Sequence, residues 1–250
     1  MIRTVIAVLR LTAFLLLTLP LMPLQWVLQK LDMPQARALP HRYHQLVCRI
    51  IGLKLSIEGD VPKHGLLVSN HISWMDIPVL SATCPVSFIA KKEVASWPMF
   101  GWLAKLQGSE FVNRESRHST GPSANRLKAR LAKGEILVLF AEGTSGNGRK
   151  LLPFKSAYFG AVENMGAKVT SVTLVYNSRH GLPLTQRQWT TVSWTGDQSL
   201  LPNLWQMLHQ GPLTVKVVFQ TLENGGSRKD MAKSAERVIR ANLHAGSKIG

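Results

Sequence analysis

The chain has 250 residues, 45% of them hydrophobic, which suits one sizeable domain and is marginal for two. Lys and Arg number 30 against 14 Asp and Glu, a formal charge of +16, so the surface suits a polyanion: nucleic acid, an anionic membrane face or a phosphate-bearing substrate. The two cysteines, Cys48 and Cys84, lack the spacing of a zinc site or a disulfide framework and read as buried thiols.

No charged residue lies between Leu11 and Gln29. A membrane span takes about 20 apolar residues, so this stretch is borderline in length. Arg3 and Arg10 precede it, and Lys30, Arg37 and Arg42 follow, which gives no clear orientation. Pro20 and Pro23 interrupt the run, so a re-entrant helical hairpin competes evenly with a full span. A cleaved signal peptide lacks a convincing small-residue cleavage site, and a buried core helix is the remaining alternative. Residues 1–31 are therefore read as a membrane anchor, with Trp26 and Lys30 at the interface, and residues 32–250 as the globular domain.

Downstream, 34–52 reads as an amphipathic linking helix. Strands are expected at Leu53–Glu58, Leu66–Ser69, Val86–Ala90 and Phe111–Val112, with a short helix at Ile77–Ala82. A basic helix over Arg126–Lys133 precedes a buried strand at Ile136–Phe140, a continuous apolar run with β-branched residues. A helix over Phe154–Asn164 and a strand over Val169–Tyr176 follow. The ending reads strand (Gln188–Trp194), helix (Leu200–His209), strand (Leu213–Gln220), helix (Arg228–His244). The fold class is α/β: a mixed sheet flanked by helices, behind an N-terminal membrane-associated helical element.

Chemistry concentrates where two strand-like runs end. Asn70-His71-Ile72-Ser73-Trp74-Met75-Asp76 follows one, and Glu142-Gly143-Thr144 follows the other. Turns at one edge of a sheet are where α/β enzymes keep their sites. On a regular helix His71 and Asp76 would lie about 140° apart. They meet only if His71 sits in the turn and Asp76 opens the next helix. The carboxylate can then orient the imidazole, whose other nitrogen takes a proton from a hydroxyl. The alternative is a plain turn with Asp76 favouring a helix N-terminus. Glu142 can bind an acceptor headgroup or order the His71 loop, and Gly143 permits close backbone approach. His41 and His44, three apart, read as surface or interfacial residues rather than a metal pair.

Over about 50–180 these segments resemble the glycerolipid (1-acylglycerol-3-phosphate-type) O-acyltransferase family. Asn70, His71 and Asp76 match its first block, and Glu110-Phe111-Val112-Asn113-Arg114 its second. Phe140-Ala141-Glu142-Gly143-Thr144-Ser145 matches its third, with the similar Leu152-Pro153-Phe154-Lys155-Ser156-Ala157 beyond. The resemblance implies transfer of a fatty acyl group to the free hydroxyl of a lysolipid, in phospholipid biosynthesis. His71 and Asp76 would be catalytic, and Asn70, Arg114, Glu142, Gly143, Thr144 and Lys155 substrate-binding. The thioester would ride on coenzyme A or acyl carrier protein as co-substrate, with no other cofactor, no metal and no nucleic acid. Membrane lipids would be partners, at an inner membrane with the site facing the cytoplasm.

The chain departs from the family pattern at Ala141 (usually proline), at Ser145 (usually an arginine that contacts acceptor phosphate) and in a fourth block, Val169–Tyr176, without proline. Serine cannot supply a charged bidentate fork, so Arg149 or Lys150 would replace it, or the acceptor lacks a phosphate. The Gly143–Gly148 stretch and the Val-Thr-Leu-Val-Tyr strand resemble the bacterial lyso-ornithine lipid acyltransferase branch. Two alternatives stand beside this reading: a basic nucleic-acid-binding protein, which leaves the apolar N-terminus unexplained, and a catalytically dead membrane scaffold.

Overall fold

The computed structural model describes residues 1–97, 99–112, 122–148, 150–161, 163, 168–195, 198–222 and 226–247. In chain order the elements are α1 (Ile2–Lys30), α2 (Gln35–Ile51), β1 (Leu53–Glu58), β2 (Gly65–Ser69), α3 (Asp76–Thr83), β3 (Val86–Lys91), α4 (Phe100–Leu106), β4 (Glu110–Val112) and α5 (Pro122–Ala132). They continue with β5 (Ile136–Phe140), β6 (Val169–Arg179), β7 (Leu182–Pro183), α6 (Gln186–Val192), α7 (Leu200–His209), β8 (Leu213–Thr221) and α8 (Arg228–Ser247). One sheet has the order β1-β8-β6-β2-β5-β3-β4, with β7 paired to β6. From β6 through β4 the strands run parallel, while β8 is antiparallel to β6 and parallel to β1.

The central strands β2 and β5 are buried along their whole length because helices cover both faces. Side-chain alternation divides their residues. Leu67, Val138 and Phe140 pack beneath α1, α2, α3 and α7, together with Val172, Leu174 and Tyr176 of β6. Leu66, Val68, Leu137 and Leu139 pack on the other face with Leu127 and Leu131 of α5 and Ala235 and Ile239 of α8.

Helix α1 runs unbroken through Pro20 and Pro23, where the sequence suggested an interruption. Each proline forfeits one intrahelical hydrogen bond. Lengthwise docking against α2, α4 and α7 offsets that loss. Arg10 donates to the carbonyls of Leu208 and Gln210, Thr18 bonds the Tyr43 hydroxyl, and Gln25 donates to the carbonyls of Ala36 and Leu106. These polar contacts fall on one stripe with Ala7, Leu11 and Phe14. The opposite stripe leaves Leu9, Leu16, Leu19 and Trp26 exposed.

Two expected elements differ. Gln188–Trp194 is not a strand, because the chain over Gln186–Val192 is helical. Thr185 accepts from the Gln188 amide while the Gln188 side chain bonds the Thr185 N–H, a capping box that starts a helix and outweighs the β-propensity of Trp189, Thr190 and Val192. The helix expected over Phe154–Asn164 is a 3-10 turn, Ser156–Ala161, and Asn164 lies outside the described residues.

Candidate active site

Parallel pairing of β2 with β5 sets Ser69 opposite Phe140, so the chain leaves both strands at the same edge of the sheet. The two polar segments meet there. Asn70 continues the pairing of β2 with β6 through its side chain. Its amide nitrogen donates to the Leu174 carbonyl at 3.0 Å, and its amide oxygen accepts from the Leu174 N–H at 2.8 Å. At 2% exposure it extends the sheet by one rung and is turned away from solvent.

After Asn70 the loop curls around a carboxylate. Asp76 is completely buried at the first residue of α3. Its Oδ2 accepts from the Ile72 N–H at 2.6 Å, from the Ser73 N–H at 2.9 Å and from the His71 Nδ1–H at 2.7 Å. Four donors in total, counting the Tyr176 hydroxyl on Oδ1 at 2.6 Å, compensate the loss of hydration of this charge. The bond from Nδ1 selects the tautomer whose Nε2 is a base. The ring stacks on Phe140, with centroids 4.0 Å apart and planes 16° from parallel, which fixes its orientation. Side-chain exposure is 18% for His71 and 0% for Asp76, so the imidazole faces outward and the carboxylate inward. A small pocket at this loop is lined by Asn70, His71, Ile72, Glu142, Gly146, Gly148, Lys150, Leu151 and Leu243.

Glu142 braces this loop. Its Oε1 accepts from the His71 N–H at 2.7 Å and its Oε2 from the Leu152 N–H at 2.8 Å. Burial pushes its carboxyl up from the ordinary value, and the two backbone donors work against that rise. The loop-ordering alternative matches this geometry. Both carboxylate oxygens are held by main chain, as both polar atoms of Asn70 are, and both residues also line the small pocket at this loop. Gly143 has φ +77°, and a Cβ there would meet the Tyr158 hydroxyl at 2.7 Å and Lys155 Nζ at 3.3 Å. The close approach expected at this glycine is therefore by the protein's own side chains. Thr144 and Lys155 are exposed beside it.

Ser145, the residue that departs from the family pattern, donates its hydroxyl to the Trp194 carbonyl. The Trp194 N–H donates to the Ile72 carbonyl at 2.9 Å, and the Gly146 N–H to the His71 carbonyl at 2.8 Å. The segment after α6 thus clasps both motif loops. Nothing in the sequence marked Trp194 for this role. The Tyr176 contact was equally hidden, although a tyrosine ending a buried β-branched run signals a hydroxyl in need of a partner.

Arg114 and Arg149 lie outside the described residues. Of the basic helix, Arg126 pairs with Glu110 and Arg130 with Glu135, both at 2.7 Å. His41 and His44 bond the Ser81 carbonyl and hydroxyl, at 2.6 and 2.9 Å. Among the described residues no three His, Cys, Asp or Glu cluster as metal ligands.

The family described as Acyltransferase matches residues 53–176, the span that carries this site. The chain is 39% identical over 259 residues to the lyso-ornithine lipid O-acyltransferase of Brucella abortus, covering 98% of this chain and 96% of that protein. It is 37% identical to the protein of the same name from Rhizobium meliloti, covering 91% and 82%. It is 34% identical to the 1-acyl-sn-glycerol-3-phosphate acyltransferase of Neisseria gonorrhoeae, covering 76% and 74%. Its fold is similar to the crystal structure of the 1-acyl-sn-glycerophosphate acyltransferase of Thermotoga maritima, with a TM-score of 0.61 at 18% identity over 97% of each chain. With identity of this extent along nearly its whole length, and a histidine–aspartate pair at the shared edge of β2 and β5, the chain belongs to the acyltransferase family.

Proposed function

We propose that this acyltransferase esterifies the free hydroxyl of a lysolipid with an amino-acid headgroup, a lyso-ornithine lipid, using an acyl thioester of coenzyme A or acyl carrier protein. The observation that carries the reading is the 2.7 Å bond from His71 Nδ1 to Asp76, which leaves Nε2 as a base on a ring that keeps 18% of its surface exposed. Nε2 takes the hydroxyl proton as the alcohol oxygen bonds to the thioester carbonyl carbon. The resulting tetrahedral species expels the thiolate, breaking the C–S bond, and the imidazolium returns the proton to sulfur. Asp76 stabilises the imidazolium between the two transfers. Arg114 and Lys155 would serve the anionic groups of the substrates.

Ser145 favours the amino-acid headgroup. Its hydroxyl is committed to the Trp194 carbonyl, and a serine offers no charged fork for a phosphate. The second reading, a lysophosphatidic acid acceptor, is favoured by the matching block that ends in Arg114 and by the family's phosphate-acceptor members. The site would sit at a bilayer surface. Helix α1 is long and apolar enough to cross a membrane. Its polar stripe is fastened to the domain along the helix length, so it lies along the leaflet with its exposed apolar stripe in the acyl region. Soluble thioester carriers would then approach from the cytoplasm.

The test feeds radiolabelled acyl thioester with either lysolipid to membranes carrying wild type, His71→Ala or Ser145→Arg. Loss of product in His71→Ala is expected, and equal activity would reject the base. Preference for lyso-ornithine lipid is expected in wild type, and Ser145→Arg should gain turnover of the phosphate acceptor. Wild-type preference for lysophosphatidic acid would reject the headgroup assignment.

A further inference from the structure

Strand β6 enters the site from a direction that the motif segments do not reveal. Val172, Leu174 and Tyr176 share one face of β6, the face beneath α3. Asn70 grips the backbone of Leu174 from both sides. That clamp sets the height of Tyr176, two residues on, and carries its hydroxyl to Asp76 Oδ1 at 2.6 Å. Tyr176 is 1% exposed, and the carboxylate it meets is completely buried. The hydroxyl is a donor, because an ionised carboxylate only accepts.

Resting on the reading of His71 as base, we infer that Tyr176 is a positioning residue for the reaction, acting on His71 through Asp76. Asp76 Oδ2 already serves two backbone N–H groups and the imidazole. Tyr176 holds the other oxygen, Oδ1, and so completes the set of donors that fixes the carboxylate. The same bond also stabilises the charge of the His71–Asp76 pair in its proton-poor form. Among the described residues, the other titratable groups facing this network are Glu142 beside His71 and Asp76, and Cys48 of α2 beside Tyr176. Burial raises the Tyr176 hydroxyl well above its ordinary value and pushes the Cys48 thiol up to about 12, so neither brings a charge near neutral pH.

The test uses the full chain in detergent micelles with lyso-ornithine lipid, lysophosphatidic acid as second acceptor, and radiolabelled acyl-CoA. Tyr176→Phe keeps the ring and removes only the hydroxyl. Its kcat should fall about tenfold with KM unchanged, because the hydroxyl does not touch substrate. Losing a donor destabilises the net-negative pair, so the pair takes up a proton more readily. The acid limb of kcat/KM should therefore move to higher pH by about one unit. The position of a limb does not depend on how much enzyme is active, so a poorly folding variant still gives an answer. An unmoved limb, whether the rate is unchanged or uniformly reduced, would overturn the inference. His71→Ala separates the two ideas: an inactive His71→Ala beside a wild-type-like Tyr176→Phe overturns only the role of Tyr176, whereas a fully active His71→Ala overturns the base as well.

Discussion

Replacing Glu142 asks whether its carboxylate holds the catalytic loop or binds substrate. In Glu142→Ala two partly buried backbone donors, the N–H groups of His71 and Leu152, lose their acceptor. A fully buried unsatisfied donor costs about 1–3 kcal/mol, so two partly buried ones should cost up to about 6 kcal/mol. Part of this is offset, because burial opposes the charge of Glu142 and the variant no longer buries it. Glu142→Gln keeps one acceptor and turns an NH2 toward the other donor, so about 2 kcal/mol is expected. Chemical unfolding in mild detergent measures both losses. Kinetics add the second half of the test: the His71 backbone is one end of the brace, so kcat should fall in both variants while KM for the acceptor stays within about twofold. The opposite pattern, wild-type stability with a raised KM, would refute the brace and assign Glu142 to the acceptor.

Three further outcomes are expected. Asn70→Ala removes both bonds to the Leu174 backbone and should cost about 2–3 kcal/mol by chemical unfolding; a change under about 0.5 kcal/mol would show that β2 and β6 hold register without the clamp. Half-buried His44 titrates at about 4 in the folded protein, depressed by burial, against 6.5 when free. The unfolded chain binds the extra proton in that window, so stability falls as pH drops from 6.5 towards 4, by up to about 3 kcal/mol. His44→Gln should flatten that part of the melting-temperature profile, and an unchanged slope would remove His44 from the account. Paired Leu16→Lys and Leu19→Lys substitutions lie on the exposed stripe of α1 and should leave the fold intact while weakening co-sedimentation with anionic vesicles; undiminished binding would place the membrane contact elsewhere.

Local sequence carried the site's vocabulary. The five-residue spacing from His71 to Asp76 closes within one loop and one helix start, so its contact is short-range and legible before any fold is known. Continuous apolar runs announced β2 and β5, and the polar residues after each marked the edge where they would meet. Two local signals conflict after β7: Thr185 and Gln188 stand at capping-box spacing, while aromatic and β-branched residues suggest a strand.

Tertiary structure decided which polar atoms remain free. Asn70 precedes the histidine and Glu142 stands in a separate motif, and in sequence both read equally well as substrate ligands. Their partners, Leu174 and Leu152, lie 104 and 10 residues away, and only sheet pairing and loop closure show that these side chains serve main chain. Tyr176 reaches Asp76 across 100 residues because parallel pairing brings β6 beside β2. Composition could establish that α1 is apolar. Whether it stands apart from the domain or lies along it was settled by hydrogen bonds from Arg10 and Gln25 to carbonyls that come near only in the folded chain. Residue types and short spacings are written in one dimension. The satisfaction of a buried donor or acceptor depends on what folding sets within about 3 Å of it, and no stretch of sequence contains that neighbourhood.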